Sequence, residues 1–283
     1  MKLSYFPGCS LDGTAKEYGL STEAICERLG VDLVELPDWN CCGASSGHCT
    51  NRLLDQALGS RNLFIADRAG LDLAVACAAC FTRFKNAAVA LKEDEDFRQK
   101  MQEIMKSPYK GNFEIKHLLD VVCNTIGLAT IKENIRKPLK GLKTVAYYGC
   151  VIVRPHELTQ FDDEERPRSL DNLMEAMGTE CLAWSYRTEC CGASLALTTP
   201  SIVMKLCDNL VDMAREAGAD CIVTACPLCL ANLDMQPTKE NRMPVFYFTE
   251  LLGLALGLDA EPWFKRHLTD PMPLLESLNL VSA

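Results

Sequence analysis

The chain has no run of about 20 apolar residues, the length a bilayer-spanning helix needs. Its longest candidate, Leu251-Leu252-Gly253-Leu254-Ala255-Leu256-Gly257-Leu258, is too short and is broken by glycine. The opening Met1-Lys2-Leu3-Ser4-Tyr5-Phe6-Pro7-Gly8-Cys9 carries no apolar leader, because Pro7 and Gly8 interrupt it at once. Basic residues are in deficit: 29 Lys and Arg face 38 Asp and Glu, a net charge of −9 that argues against a broad nucleic-acid surface. There is no GxGxxG and no Walker sequence, so nothing points to a flavin or nucleotide held by this chain. Cysteine is abundant instead, with 16 in 283 residues. At 48% hydrophobic residues the chain can build a real core, which excludes a short disulfide scaffold. These cysteines therefore read as metal ligands of a soluble, cytoplasmic protein in a reducing compartment.

Ten of them form one pattern twice. The first copy is Cys9, then Cys41-Cys42-Gly43, then Cys77-Ala78-Ala79-Cys80. The second is Cys150, then Cys190-Cys191-Gly192, then Cys226-Pro227-Leu228-Cys229. Both pairs continue as Cys-Cys-Gly-Ala-Ser, and in both copies 35 positions separate the second cysteine of the pair from the first of the CxxC. Buried packing cysteines would not repeat in this order. Cys26, Cys49, Cys123, Cys181, Cys207 and Cys221 have no partner in the other copy and read as structural.

Short apolar runs alternate with helical spacing in each half. Strands are expected at 3–6, 31–36 and 71–76, and helices at 14–29, where Tyr18, Ile25 and Leu29 share a face, and at 51–69, with Leu54, Leu58 and Ile65 inward. The second half repeats the order, with strands at 144–148, 181–184 and 221–225, helices at 170–177 and 202–217, and a further strand at 244–248. Between the halves, Phe97, Met101, Ile104 and Met105 are expected on the buried face of a helix that starts in the charge run 92–96. The stretch 155–168 reads as an acidic surface loop. This order predicts an α/β protein of two pseudo-symmetric Rossmann-like domains, 1–141 and 142–283 with a C-terminal tail, each built on a parallel sheet. Every cysteine of the pattern follows a strand. Loops at the carboxyl ends of parallel strands converge, so thiols far apart in sequence can meet there.

A lone CxxC serves redox, zinc and iron–sulfur sites alike. Five thiols exceed what a tetrahedral zinc site or an ordinary cubane cluster uses. Two adjacent cysteines bind different irons of one assembly more easily than one shared ion. Iron–sulfur and zinc both remain open on spacing alone.

The doubled motif, with Tyr5-Phe6-Pro7-Gly8-Cys9 and Tyr147-Tyr148-Gly149-Cys150, resembles the CCG domains in the B-type subunits of heterodisulfide reductases over nearly the whole chain. CCG domains also occur in subunits of thiol–fumarate reductases, glycolate and lactate oxidases and glycerol-3-phosphate dehydrogenases. Those usually carry ferredoxin-type cysteine runs, which are missing here. The resemblance implies two non-cubane [4Fe-4S] clusters, one on Cys9, Cys41, Cys42, Cys77 and Cys80, the other on Cys150, Cys190, Cys191, Cys226 and Cys229. It implies reductive cleavage of a disulfide to two thiols, in methanogens the disulfide of coenzymes M and B. It also implies two partners in a multisubunit complex, an iron–sulfur protein of the C type and a flavin-bearing protein of the A type.

On this reading the two clusters face one cleft and no cysteine acts as a nucleophile. The alternative is an electron-relay subunit of a larger oxidoreductase, with no substrate site of its own. An open cleft between the clusters favours the enzyme and burial of both favours the relay. Cations near the motifs are Arg83, Lys85, His156 and Arg187, with His48 and Arg154 the candidate substrate residues by position. The tail from Pro262 to Leu280 mixes aromatics with charge and is expected to pack on its own domain.

Overall fold

The computed structural model describes residues 1–44 and 47–282, with only the backbone described for His48, Cys49 and Lys239. Two four-stranded sheets, all parallel, organise the chain. The first contains β1 (Lys2–Phe6), β2 (Asp32–Glu35), β3 (Leu73–Val75) and β4 (Ile115–His117) in the order β2-β1-β3-β4. The second contains β5 (Lys143–Tyr147), β6 (Glu180–Cys181), β7 (Cys221–Thr224) and β8 (Val245–Tyr247) in the order β6-β5-β7-β8. The two orders are the same one.

Helices α1 (Gly8–Asp12), α2 (Lys16–Arg28), α3 (Gly47–Thr50), α4 (Arg52–Ala69), α5 (Ala78–Glu93), α6 (Glu95–Met105), α7 (Leu118–Asp120) and α8 (Leu128–Asn134) belong to the first part of the chain. Those of the second are α9 (His156–Thr159), α10 (Ser169–Ala176), α11 (Pro200–Glu216), α12 (Pro227–Met235), α13 (Phe248–Ala255), α14 (Glu261–Phe264) and α15 (Met272–Ser277). Local chemistry sets their ends. Asn51 accepts the Leu53 amide at 2.7 Å and starts α4, while Gly70 stops it in the left-handed region. Asp94 caps α6 in the same way, and Pro200 begins α11.

The order β2-β1-β3-β4 makes the connections leave β1 in one direction and β3 in the other. Open parallel sheets bind ligands at such a switch point. Cys9 follows β1, Cys41 and Cys42 follow β2, and Cys77 follows β3. The second sheet delivers its five cysteines in the same way.

Most expected elements are present with shorter ends, but five expectations need correction. Leu54 is 43% exposed, because the first turns of α4 stand clear of the core and burial begins at Gly59. Ile104 is 69% exposed, so only Phe97 and Met101 of that face are buried and Met105 is partly covered. The strand at 181–184 shrinks to two residues, and β4 adds a strand where none is expected. The tail aromatics are covered: Trp263 packs against Gly253, beside Ile25 of α2, so the tail lies across both halves.

That seam is a built interface. The rings of Tyr18 (α2) and Tyr247 (β8) stack at 4.2 Å and 4°, a contact worth about 0.5–1.5 kcal/mol beyond burial. Tyr18 donates its hydroxyl to the Ala225 carbonyl at 3.1 Å, and Ser21 and Thr249 hydroxyls meet at 2.6 Å. Beside them, His267 of the tail pairs with Glu250 at 2.8 Å, both side chains inaccessible to solvent. Burial disfavours the imidazolium, but the Glu250 carboxylate outweighs it and holds His267 up at about 9.

A raised histidine stabilises the fold fully below its ordinary value near 6.5, and this contribution disappears as pH climbs through about 9. The melting temperature should therefore fall between pH 7.5 and 10 more steeply in the native sequence than in His267→Gln. His267→Ala should cost about 3–5 kcal/mol in chemical denaturation at pH 7, because it strands a buried carboxylate. Parallel pH profiles for the two proteins would mean that the ion pair does not form.

Candidate metal centre

Both CxxC segments sit on helix N-termini. Cys77 is the N-cap of α5 and Cys80 lies in its first turn; Cys226 and Cys229 hold the same positions on α12. The Leu228 and Cys229 amides donate to the Cys226 sulfur. Amides and helix dipole together favour thiolate there. In the Cys-Cys-Gly turn, Gly192 has φ +79, as Gly43 has φ +84, which lets the chain reverse beneath the paired sulfurs. A Cβ on Gly192 would meet Leu206 at 3.0 Å. Gly149 is tighter: a Cβ there would lie 2.9 Å from Cys229 Sγ. The glycine before Cys150 thus leaves space for a sulfur 80 positions later in the chain.

The thiols form one continuous string. Cys9 and Cys41 sulfurs are 3.9 Å apart, and those of Cys42 and Cys80 are 3.0 Å apart. Cys41 hydrogen-bonds Cys42, and Cys80 hydrogen-bonds Cys77. Cys77 in turn is coupled to Cys226, the first sulfur of the other copy's CxxC, each shifting the other's hold on its proton. Cys226 continues to Cys229, whose sulfur is 3.9 Å from that of Cys191. Cys150 hydrogen-bonds Cys190, and both interact electrostatically with the neighbouring Cys191. Among the described residues, no three His, Cys, Asp or Glu side chains surround a point that would hold a single metal ion. Ten soft donors strung across two sheets suit iron–sulfur assemblies better than lone tetrahedral ions.

Protons in this string divide unevenly. Cys42 accepts from Cys41 and Cys80 and is pulled down to about 4, with Arg83 adding a favourable charge. Cys190, accepting from Cys150, is pulled down to about 6. Cys191, beside Cys229, and Cys226, beside Cys229 and Cys77, are lowered as well. Their donors Cys41, Cys77, Cys80, Cys150 and Cys229 are pushed up, because each holds the shared proton. A site with several thiolates already formed releases fewer protons when a cationic metal arrives.

Of the unpaired cysteines, burial raises Cys26 and Cys207 to about 12 and Cys181 to about 11, and pushes Cys123 and Cys221 up too. Cys207 has a positioning contact, its thiol 3.5 Å from the Cys191 carbonyl.

The cations separate by partner. Arg83, one turn past Cys80, is held by Asp55 at 2.7 Å and lines an open groove of about 900 Å³ with Arg52, Asn86 and Glu93. Arg154 is engaged by the acidic loop, through the Glu164 carbonyl at 2.9 Å and the Glu165 carboxylate at 2.8 Å. His156 is bound to the same loop. Arg187 spans the Trp184 and Pro167 carbonyls and buried Asp171. Lys85 lies 5.5 Å from the centre of the Phe81 ring. The side chain of His48 lies outside the described residues. The expected gap between the two sets is closed at its inner end by the Cys77–Cys226 contact. Cys9 and Cys190 are exposed, and Cys41 and Cys150 are partly so.

Two residues of the site lie outside the cysteine motif and its neighbouring cations. His117 ends β4 and Tyr247 ends β8, in register with Val75 and Thr224 respectively. Both are fully buried, and burial pushes the His117 imidazole down to about 4, against the Cys226 charge and the Ala76 carbonyl. No sequence interval marks this equivalence, since Ile115 lies 35 residues past Cys80 and Val245 only 16 past Cys229.

The cysteine-rich CCG domain matches at residues 3–85 and 144–234, one copy on each sheet. The chain belongs to the cysteine-rich CCG-domain family. One CCG relative is the 8-methylmenaquinol:fumarate reductase membrane anchor subunit of Wolinella succinogenes, 31% identical over 92% of this chain and 94% of that protein. Another is the B subunit of the ferredoxin/F420H2-dependent CoB-CoM heterodisulfide reductase of Methanosarcina acetivorans, 29% identical over 92% and 91%. A hypothetical protein from Helicobacter pylori shares the fold alone, with a TM-score of 0.72, 12% identity and coverage of 94% of this chain and 51% of that one. The chain is a heterodisulfide reductase-like iron–sulfur subunit of an oxidoreductase family. Among the described residues no helix is long and apolar enough to cross a membrane.

The lowered Cys190 thiol predicts a reactivity profile. In metal-free protein, iodoacetamide should alkylate exposed Cys190 at least tenfold faster than Cys181 at pH 7. The rate should be level above about pH 7 and fall below about 6, as the thiolate is protonated. Mass mapping measures it; a rate still climbing through pH 9 would mean the Cys150 hydrogen bond does not form.

Proposed function

We propose that this chain is the catalytic subunit of a heterodisulfide reductase-like complex, and that it reductively cleaves a disulfide to two thiols. Cys9, Cys41, Cys42, Cys77 and Cys80 hold one cluster, and Cys150, Cys190, Cys191, Cys226 and Cys229 hold the other, each within one of the domains 1–141 and 142–283. The observation that carries this reading is the exposure of Cys9 and Cys190, one in each of two equivalent sulfur sets, which leaves an edge of each set that a substrate can reach. When bound, non-cubane [4Fe-4S] clusters supply one electron each and iron sites that accept departing thiolates.

The reaction consumes one disulfide, two electrons and two protons and yields two thiols. The chain's own residues fix where it happens. Buried Cys42, Cys77, Cys80, Cys191, Cys226 and Cys229 keep the inner part of the assembly dry, while Cys9 and Cys190 present the edge that substrate sulfur can reach. Arg83, beside Cys42, has its charge answered by Asp55 at 2.7 Å, and the open groove it lines carries more carboxylates than cations. Arg154 likewise has its charge answered, by the Glu165 carboxylate of the acidic loop.

Electrons come from an iron–sulfur partner of the C type, fed in turn by a flavin-bearing protein of the A type. Leu197 is 97% exposed, and Leu195, Ile202 and Leu228, near the second set's cysteines in the chain, are exposed too. A partner seated there would stand next to that set.

The relay reading is favoured by one observation, the buried Cys77–Cys226 junction, and by the 31% identity with a fumarate reductase subunit. One experiment separates the two. Anaerobic iron and sulfide counts should give about eight irons per chain, and electron paramagnetic resonance spectra should change when the substrate thiols are added. Clusters whose spectra ignore every thiol, in a chain that passes electrons on to an acceptor, would establish the relay. Iron-free protein with reduced thiols should cleave the disulfide at under about a hundredth of the loaded rate; an equal rate would point to direct thiol exchange instead.

A further inference from the structure

The carbonyl of Cys191 takes two side-chain donors, one from each helix that flanks the second Cys-Cys-Gly turn. Asn232 of α12 donates its amide Nδ2 to it at 3.0 Å, and Cys207 of α11 brings its thiol to 3.5 Å. Both side chains are buried. Neither belongs to the repeated cysteine pattern, and the proposed reaction gives neither a role. A buried amide and a buried carbonyl are costly unless paired, so mutual satisfaction would be reason enough for the contact. The other side of the same peptide does more.

The Gly192 N–H donates to the Cys190 sulfur at 3.3 Å. This N–H and the Cys191 carbonyl are the two ends of one peptide unit, which is planar and trans. In such a unit the two point in opposite directions, so whatever holds the carbonyl aims the N–H. Gly192, at φ +79, is the residue type at which a peptide turns over most cheaply, so an anchor from outside the turn matters here. Asn232 lies three positions past Cys229, on the helix that carries the CxxC. It therefore ties together the two segments that supply four of the five sulfurs of the second set.

The first half is built differently at the same places. Leu58, like Cys207, lies 16 residues past the second cysteine of its pair, and Arg83, like Asn232, lies three past its CxxC. Leu58 has no donor, and Arg83 is bound to Asp55 at 2.7 Å. There Asn40 donates to the Cys41 carbonyl at 2.8 Å, one peptide earlier in the turn.

We propose that Asn232, with Cys207, is a positioning residue of the second sulfur set: it fixes the Cys191–Gly192 peptide so that the N–H stays on the Cys190 sulfur, and thereby makes the cluster on that set easier to reduce. Hydrogen bonds to ligand sulfur stabilise the more negative, reduced cluster. Cys190 is also one of the two exposed sulfurs, so the fixed donor sits at the edge that solvent and substrate reach.

The inference rests on the ten cysteines holding iron–sulfur clusters and not on disulfide cleavage, so an iron count on the unsubstituted chain tests that premise by itself. Asn232→Leu keeps the rough shape of the side chain and removes its N–H. Cys207→Ala removes the weaker donor. In redox titrations of the reconstituted full-length protein followed by electron paramagnetic resonance, Asn232→Leu should lower one midpoint by the equivalent of about tenfold, about 59 mV for a one-electron couple, and leave the other in place. Cys207→Ala should lower the same midpoint by less. Full iron content with both midpoints unmoved in Asn232→Leu would make Asn232 a packing residue and overturn the proposal. Pulsed resonance on protein labelled with 15N-glycine reads the bond itself. A glycine nitrogen coupling that weakens in Cys207→Ala and disappears in Asn232→Leu supports it. No such coupling in the unsubstituted protein, or one that both substitutions leave intact, overturns it. If Asn232→Leu takes up only half the iron, Cys207→Ala decides by the same readouts: a lowered midpoint with a weakened coupling supports the proposal, and no change in either overturns it.

Discussion

The Cys77–Cys226 contact can form only if two CxxC helices, from separate sheets, bring their N-terminal turns together. Three further contacts hold them there. The Tyr18 hydroxyl seizes the carbonyl of Ala225, next to Cys226, and Thr82 of α5 bonds the carbonyl of Val151, next to Cys150. The Tyr18–Tyr247 stack fills the space between. Each ties a loop of the second set to a helix of the first half. The seam is therefore also the frame of the sulfur site, and what loosens one loosens the other.

Much of this was legible in the residues. Duplicated intervals and the place of each cysteine after a strand foretold two parallel sheets with thiols at their carboxyl ends, which the topology bears out. What could not be read was anything fixed by how the halves meet. Tyr18 reads as ordinary helix core, and nothing in its spacing marks it as a partner of Ala225 and Tyr247. β4 escaped because Ile115-Lys116-His117 is three residues long with a lysine at its centre, too brief for periodicity to speak. Leu54 and Ile104 sit at helical spacing yet face outward, because spacing defines a stripe without saying how far along the helix the core reaches. The gap expected between the sulfur sets was likewise a matter of packing, and the fold closes its inner end.

The duplication is close but not complete. In both copies a glycine yields space to the CxxC sulfur, and in both a Cys-Cys-Gly turn reverses in the left-handed region. The charges around them differ. Arg83 stands by Cys42 in the first set, whereas Cys191, its counterpart in the second, is lowered by Cys229 and the Ala193 amide. The open groove borders the first set, while exposed leucines border the second.

That difference bears on how two electrons could reach one disulfide. Identical sets would have identical potentials, and nothing in the fold would order the filling of one before the other. A cation on one side and neutral donors on the other stabilise added negative charge unequally. The borders are unequal too, because exposed leucines suit a protein partner and the groove beside Arg83 is lined mainly by carboxylates. Electrons entering beside Leu197 and leaving toward Arg83 would then traverse the buried Cys77–Cys226 junction. On this view the closed inner end of the gap is what lets the two halves work as one path, whether the final acceptor is a disulfide at the exposed edge or a further protein.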